Sequence, residues 1–327
     1  MKCRICENSQ GNLDYNVREM MFGLREVFHY LECSSCGCLQ IEDFPSDMSR
    51  FYSAKYYSFS APKSGRKIQA LKNYFKTTFL TQAIYKDGRL GKAALRVLSD
   101  LALRSLARCS ISKGSKILDV GCGSGTLLYT LRESGARYVL GIDPYIESDI
   151  RYANGLTIQK KFLHEVEGQW DLIMFHHSFE HLIDPKETLR ICETLLAKGG
   201  RCLIRMPTVS SYAWKHYGTN WAQLDAPRHF FLFSVDSLKL VAQQAGLELE
   251  STYYDSWEFQ FWGSEQYKRD IPLEAANSYG KNPRGSIFSP TELKVFSRRS
   301  AELNAQGLGD QAVFLLRRCA ERDRASS

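Results

Sequence analysis

Lys116-Ile117-Leu118-Asp119-Val120-Gly121-Cys122-Gly123-Ser124-Gly125-Thr126 is an apolar run that carries one acid near its end and then breaks into glycine at alternate positions. A short apolar run bounded by a turn predicts a strand buried on both faces, and the text after it, Thr126 to Glu133, has helical spacing. Gly121, Gly123 and Gly125 let the chain turn sharply and leave room for a ligand, while the helix behind them offers unpaired N–H groups. That geometry suits a nucleotide. A dinucleotide fingerprint would need glycine at 126, where this chain has threonine, and it makes no use of an acid at Asp119, so the spacing argues against NAD. Twenty residues after Gly123 the text Gly141-Ile142-Asp143 ends the next apolar run. Asp143 therefore stands where a carboxylate can accept both hydroxyls of a ribose.

Outward from this turn, short apolar runs alternate with helical patterns, which predicts a doubly wound α/β sheet. Strands are expected at Lys116–Val120, Tyr138–Ile142, Leu156–Lys160, Trp170–His176, Arg201–Met206, Leu247–Tyr253 and Ala312–Leu316. Helices are expected at Thr126–Glu133, Pro185–Ala197 and Val235–Ala245, the second stopped by Gly199-Gly200 and the third by Gly246. The stretches from Pro207 to Ser234 and from Asp255 to Gln311 are too long for plain loops and are expected to hold substrate recognition.

On these residues the chain resembles the class I S-adenosylmethionine-dependent methyltransferases, whose first motif reads much like Asp119-Val120-Gly121-Cys122-Gly123-Ser124-Gly125. The resemblance covers roughly residues 113 to 255 and the last strand. It implies a seven-stranded Rossmann-like methyltransferase sheet. It also implies S-adenosylmethionine as cofactor, held by Asp119, Gly121, Cys122, Gly123, Gly125 and Asp143. The family often has an acid for adenine after the third strand. This chain has Lys160-Lys161-Phe162-Leu163-His164 there, so backbone and Phe162 are expected to take its place, with His176 at the end of the fourth strand also near the cofactor.

The fourth strand runs out into His176-His177-Ser178-Phe179-Glu180-His181, at the edge where open α/β sheets bind ligands. His177, Glu180 and His181 would share a face if this turn is helical, and could meet a metal or a substrate hydroxyl. The ubiquinone-type O-methyltransferases have a similar Glu-His pair after this strand. The Asp/Asn-Pro-Pro-aromatic motif of nucleobase amino methyltransferases is missing, which counts against a nucleic-acid substrate. A second polar and aromatic group follows the fifth strand: Trp214, His216, Tyr217, Trp221, Asp225, Pro227, Arg228, His229, Phe230 and Phe231. Methyl transfer from a sulfonium mainly requires positioning and, for a hydroxyl or carbon acid, removal of a proton, for which a histidine is suited. Arg228-His229-Phe230-Phe231-Leu232-Phe233-Ser234 resembles the segment that carries a general-base histidine in deoxysugar C-methyltransferases. That likeness makes His229 the expected base, ahead of His177, Glu180 and His181, under an aromatic lid suited to sugar faces.

Cys3-Arg4-Ile5-Cys6 and Cys33-Ser34-Ser35-Cys36 are two Cys-x2-Cys hooks separated by 26 residues. Four thiolates complete a closed tetrahedral site, so Cys3, Cys6, Cys33 and Cys36 are expected to bind structural zinc. Cys38 is an alternative ligand, although Gly37 reads better as the knuckle turn. The deoxysugar C-methyltransferases likewise place a zinc module ahead of such a core. The expected organisation of the 327 residues is a zinc-binding module at 1–45, an aromatic junction and basic helices at 46–112, and the methyltransferase domain at 113–327 with an insert at 255–311.

Hydrophobic content of 44% with 24% charge is ordinary globular composition, and no run approaches a membrane span. The first residues lack the apolar stretch of a secretory signal, which predicts a cytoplasmic protein. Between Lys63 and Arg108 eleven Lys and Arg stand against Asp87 and Asp100, a solvated basic face or a peripheral contact with anionic membrane lipid or phosphorylated substrate. The expected partner is a small-molecule or glycan acceptor. The alternatives are a tRNA or rRNA methyltransferase that grips RNA with the knuckle, and a non-catalytic protein that keeps the cofactor fold. Residue types alone leave oxygen, nitrogen and carbon acceptors open.

Overall fold

The computed structural model describes residues 1–52, Thr81, Ile84, Tyr85 and 100–319. Most of the basic stretch between Lys63 and Arg108 lies outside them. Among the described residues, no helix is long and apolar enough to cross a membrane.

An N-terminal meander is made by β1 (Leu13–Arg18), β2 (Val27–Glu32) and β3 (Leu39–Ile41). After a short helix α1 (Leu101–Leu106), the main sheet begins with β4 (Lys116–Val120), followed by α2 (Thr126–Glu133), β5 (Tyr138–Ile142), β6 (Ile150–Arg151), β7 (Thr157–Gln159), β8 (Trp170–His176), α3 (Pro185–Leu195) and β9 (Leu196–Pro207). Then come α4 (Tyr212–Tyr217), β10 (Phe231–Leu232), α5 (Val235–Gln244), β11 (Leu247–Tyr254), α6 (Phe259–Lys268), α7 (Pro290–Ala305) and β12 (Gln311–Arg318). The main sheet has the order β11-β12-β9-β8-β4-β5-β7-β6. Its centre is parallel, while β12 runs antiparallel to both neighbours and β6 antiparallel to β7.

Ile117, Leu118, Leu172, Ile173, Met174 and Phe175 are fully buried, as parallel strands covered on both faces must be. The crossover helices are capped by their own sequence: Asp184 accepts from the Glu187 N–H, with Pro185 opening α3, and Ser234 accepts from the Ser237 N–H at the start of α5. All seven expected strands are present, and β6 adds an eighth, a two-residue edge too short to show a period. One boundary needs correction. The glycine pair does not stop α3, which ends at Leu195 when Leu196 turns extended. Gly199 and Gly200 lie inside β9, where a Cβ at Gly200 would meet the Trp170 carbonyl at 2.8 Å.

The N-terminal strands form a second sheet of order β1-β2-β3-β10, so its last strand is contributed by the long connection after β9. One apolar cluster runs from Cys3, Val17 and Tyr30 through Phe231 and Phe233 to Phe175 and Ile204. The module shares this core with the main sheet, as expected of a segment too small to build one.

The glycine turn is shaped by packing as much as by access. Gly121 and Gly125 both have φ of +72°, and a Cβ on them would stand 2.6 Å from Ser178 Cβ and 2.3 Å from Ile158 Cδ1. These two glycines thus make room for the neighbouring side chains of Ser178 and Ile158. Gly125→Ala should therefore lower stability by about 1–3 kcal/mol, read as a lower denaturant midpoint at unchanged slope. An unchanged midpoint would mean that buried Ile158 yields freely.

Candidate active site

The C-terminal ends of β4, β5 and β8 meet at one edge of the sheet, where parallel strands leave a crevice. Asp143, just past β5, accepts the Gly123 N–H with one oxygen and the Tyr145 N–H with the other, both at 2.9 Å. An ionised carboxylate has about four acceptor positions, so two remain for ribose hydroxyls. Asp119 is buried, and its Oδ1 has no hydrogen-bond partner among the described residues. Burial, with the charge of Asp143 adding to it, holds its carboxyl well above the usual range. A buried acceptor without a donor at the mouth of the turn is where the ammonium of an amino-acid ligand gains most. These residues fit the methionine and ribose ends of S-adenosylmethionine. Cys122 turns its thiol toward Gly141, into the protein. Phe162 is 51% exposed and stacks on His164 with ring centroids 5.6 Å apart.

Ser178 Oγ donates to the Val120 carbonyl at 2.6 Å, which ties the end of β8 to the glycine turn. His177 follows in the left-handed region, φ +54°, an uncommon conformation for a side chain of this size. A single 3-10 turn, Phe179–His181, then carries Glu180 inward. Glu180 is fully buried, and among the described residues neither of its carboxylate oxygens has a hydrogen-bond partner in good geometry. His177 Nδ1 lies 3.4 Å from Glu180 Oε1 and His229 Nε2 lies 3.9 Å from it. Burial alone would raise the Glu180 pKa, but the surrounding histidines 177, 181 and 229 hold it down at about 2.

The proton positions follow from the partners. Arg205, on β9 and paired with Asp255 at 2.7 Å, donates to His177 Nε2 at 2.8 Å, which leaves the proton on Nδ1, facing Glu180. His229 Nδ1 lies 2.8 Å from the Gln223 carbonyl and His181 Nδ1 lies 2.7 Å from the Arg228 carbonyl. A carbonyl only accepts, so both rings carry their proton on Nδ1 and keep a lone pair on Nε2. Burial lowers the His229 pKa to about 4, with Asp225 opposing the shift and His181 adding to it. His229 is thus neutral near pH 7, with Nε2 3.8 Å from Asp225 Oδ2. His176 is different: neither ring nitrogen has a hydrogen-bond partner among the described residues, and burial holds its pKa well below the usual range.

His177, Glu180, His181 and His229 are thus brought together, although His177 sits at the head of a 3-10 turn and not on a shared helical face. The aromatic segment corrects the expectation of a lid. Trp214, Trp221, Phe230 and Phe231 are buried, and the indole N–H groups of Trp214 and Trp221 donate to Glu32 and Asp310. They form a packed wall. Arg205 and Asp255 were missed in the sequence because they pair across 50 residues with no local spacing to mark them, and Gln223 because it meets His229 through its main-chain carbonyl, which every residue has.

The four knuckle sulfurs lie within 4.8 Å of one another, with Cys3 to Cys36 at 3.7 Å and Cys6 to Cys33 at 3.4 Å. Thiolates bound to zinc at about 2.3 Å stand about 3.8 Å apart in a tetrahedron, so this donor set fits the ion. Gly37, φ +69°, makes the knuckle turn, and Cys38 is fully buried outside the group.

Residues 92–252 match the family described as Methyltransferase domain. The ubiquinone biosynthesis O-methyltransferase of Pseudomonas aeruginosa (strain UCBPP-PA14) is 28% identical over 156 residues, 42% of this chain and 66% of that protein. The enzyme of the same name from Bordetella avium is 30% identical over 158 residues, 42% of this chain and 63% of its own. The chain spans a little under two thirds of these relatives. A solved S-adenosylmethionine-dependent methyltransferase from Mesorhizobium loti is similar at a TM-score of 0.41 with 16% identity, over 68% of this chain and 100% of that one. The chain carries a class I S-adenosylmethionine-dependent methyltransferase domain.

Asp143→Ala removes both the loop anchor and the ribose acceptors, and should weaken S-adenosylmethionine binding by about tenfold or more in calorimetry. Undiminished affinity would remove Asp143 from the cofactor site.

Proposed function

We propose that this chain transfers the methyl group of S-adenosylmethionine to a hydroxyl or carbon acid of a sugar or sugar-containing small molecule, nucleotide- or lipid-linked, with His229 as general base. The observation that carries this reading is the His229 ring: neutral, held in one tautomer by the Gln223 carbonyl, its Nε2 lone pair beside Glu180 and Asp225. The cofactor supplies an electrophilic methyl group when bound. His229 takes the acceptor's proton at Nε2, and the carboxylates of Glu180 and Asp225 stabilise the imidazolium as it forms. The sugar class is supported by the likeness of residues 228–234 to deoxysugar C-methyltransferases and by the four-cysteine module ahead of the core. Surface-polysaccharide and secondary-metabolite assembly are the settings in which such acceptors occur. The basic stretch 63–108 suits a diphosphate or an anionic membrane surface. The RNA reading loses support because β3 of the cysteine module is spent on β10.

His229→Ala should cut turnover by about 10²-fold or more while leaving cofactor affinity intact. Because His229 must be neutral to act, kcat/KM should hold at neutral pH and fall as the pH drops toward about 4. The sign for stability is the same: below the unfolded pKa of about 6.5 the unfolded chain binds a proton that folded His229 refuses, so stability falls with acid down to about pH 4. Unchanged turnover in the variant, or a missing acid limb, would take His229 out of the mechanism. The acceptor class is tested with labelled cofactor against nucleotide-linked sugars and against RNA from the same extract. Label in RNA alone would overturn the sugar reading.

A second reading rests on Glu180, His181 and His229, each of which offers one ligand atom within 4.8 Å of the others. Two Nε2 lone pairs and an unpartnered carboxylate suit a divalent cation, which would bind and acidify an acceptor hydroxyl. Turnover that survives brief chelation supports the base. Rapid loss restored by Mg²⁺ or Mn²⁺ supports the cation.

A further inference from the structure

The segment that carries His229 is fastened to the N-terminal module at nearly every residue. Tyr30, fully buried on β2, donates its hydroxyl proton to the His229 carbonyl at 2.8 Å. The Ile41 N–H donates to the Phe230 carbonyl at 2.9 Å, and β10 pairs with β3 as Phe231 opposite Gln40 and Leu232 opposite Leu39. Ser234 Oγ donates to the carbonyl of Cys36, itself a knuckle residue, at 2.6 Å. Ahead of the histidine, Arg228 has no exposed surface and reaches Glu19 at 3.2 Å and the Phe51 carbonyl at 3.1 Å.

The methyltransferase side holds the same segment through the Phe230 N–H on the Glu180 carbonyl, the Gln223 carbonyl on His229, the Asp225 pair with Arg228, His181 on the Arg228 carbonyl, and Thr208 and Val209 on the Phe233 carbonyl. A two-residue strand such as β10 has no stability alone and takes its place from its partner. The position of β3 is in turn set by the turn at Cys33–Cys36, immediately before it.

We infer that the cysteine knuckle is a positioning element of the active site, and that Tyr30 is the positioning residue through which it fixes His229. A metal ion that joins Cys3 and Cys6 to Cys33 and Cys36 locks the start of β3, and β3 with Tyr30 then fixes the main chain on both sides of the histidine. The inference rests on His229 as base for its effect on turnover, and on geometry alone for its effect on the segment. A shift of about 1 Å at a catalytic group costs about 10²-fold, so a loose β10 would be felt in kcat and not in cofactor binding.

The test uses the whole chain as purified with its metal. Tyr30→Phe keeps the volume and removes one hydrogen bond. It should lower kcat by about tenfold at unchanged cofactor KM, and should have no further effect in a His229→Ala background. Hydrogen exchange is the second readout: Tyr30→Phe, and independently metal removal by chelator with zinc restored afterwards, should speed amide exchange across 229–234 while β4 stays protected. Faster exchange at 229–234 with turnover unaffected by His229→Ala would overturn the base and keep the coupling. Exchange unchanged by both treatments, or raised equally in β4 and 229–234, would overturn the coupling and leave the base standing.

Discussion

A carboxylate at zero exposure, faced by three histidines, sits at the centre of this site, and the surrounding chain is arranged around Glu180. An ionised carboxylate moved out of water costs several kcal/mol even after relaxation, so Glu180 would take up a proton unless positive or polarisable groups faced it. His177 comes from the end of β8, His181 from the turn that holds Glu180, and His229 from the connection beyond β9. Only the last is distant in sequence. It is delivered by the Phe230 N–H, which docks on the main-chain carbonyl of the same Glu180 at 2.8 Å. Once that contact is made, Phe231 and Leu232 lie open as a strand edge, which β3 completes.

The legible part of the molecule is the part whose signals are local. The glycine turn, the acid at Asp143, the continuous apolar strands and the Asp184 and Ser234 caps each depend on residues within a few positions, and the seven expected strands follow from them. The two Cys-x2-Cys hooks were legible for the same reason: each pair is a local turn, and only their meeting required the fold. Gly199-Gly200 misled because a glycine pair after a helical pattern reads as a stop, whereas here Gly199 takes a φ of +78° and Gly200 relieves crowding inside β9 against the Trp170 carbonyl.

What escaped the sequence is made of contacts between segments that no period or spacing links. Nothing near Tyr30 marks it as a donor to the main chain of residue 229, and nothing near Glu19 marks it as the partner of Arg228. The aromatic density after β9 was visible, but its meaning depended on whether the rings faced inward. Trp221, with its N–H on buried Asp310, faces inward. Asp310 is itself pushed above the usual carboxylate range by burial, with Gln223 and Trp221 working against that. The same Gln223 that donates to Asp310 lends its carbonyl to His229, so the wall behind the base also fixes its tautomer.

Burial makes His229 a weak base, near a pKa of 4, and the charge balance of the proposed reaction is what offsets this. With Glu180 ionised and His229 neutral, the site would favour a sulfonium over a second proton on the base. A permanently protonated histidine would repel the cofactor. In the proposed transfer the cofactor would give up one positive charge and His229, 3.9 Å from Glu180 and 3.8 Å from Asp225, would gain one. The total charge of the closed site is therefore the same before and after, and the buried carboxylates face one cation throughout. In a low-dielectric site that constancy removes much of the reorganisation that charge creation would demand. In the proposed reaction a His229 kept neutral by burial would receive a charge only as another departs.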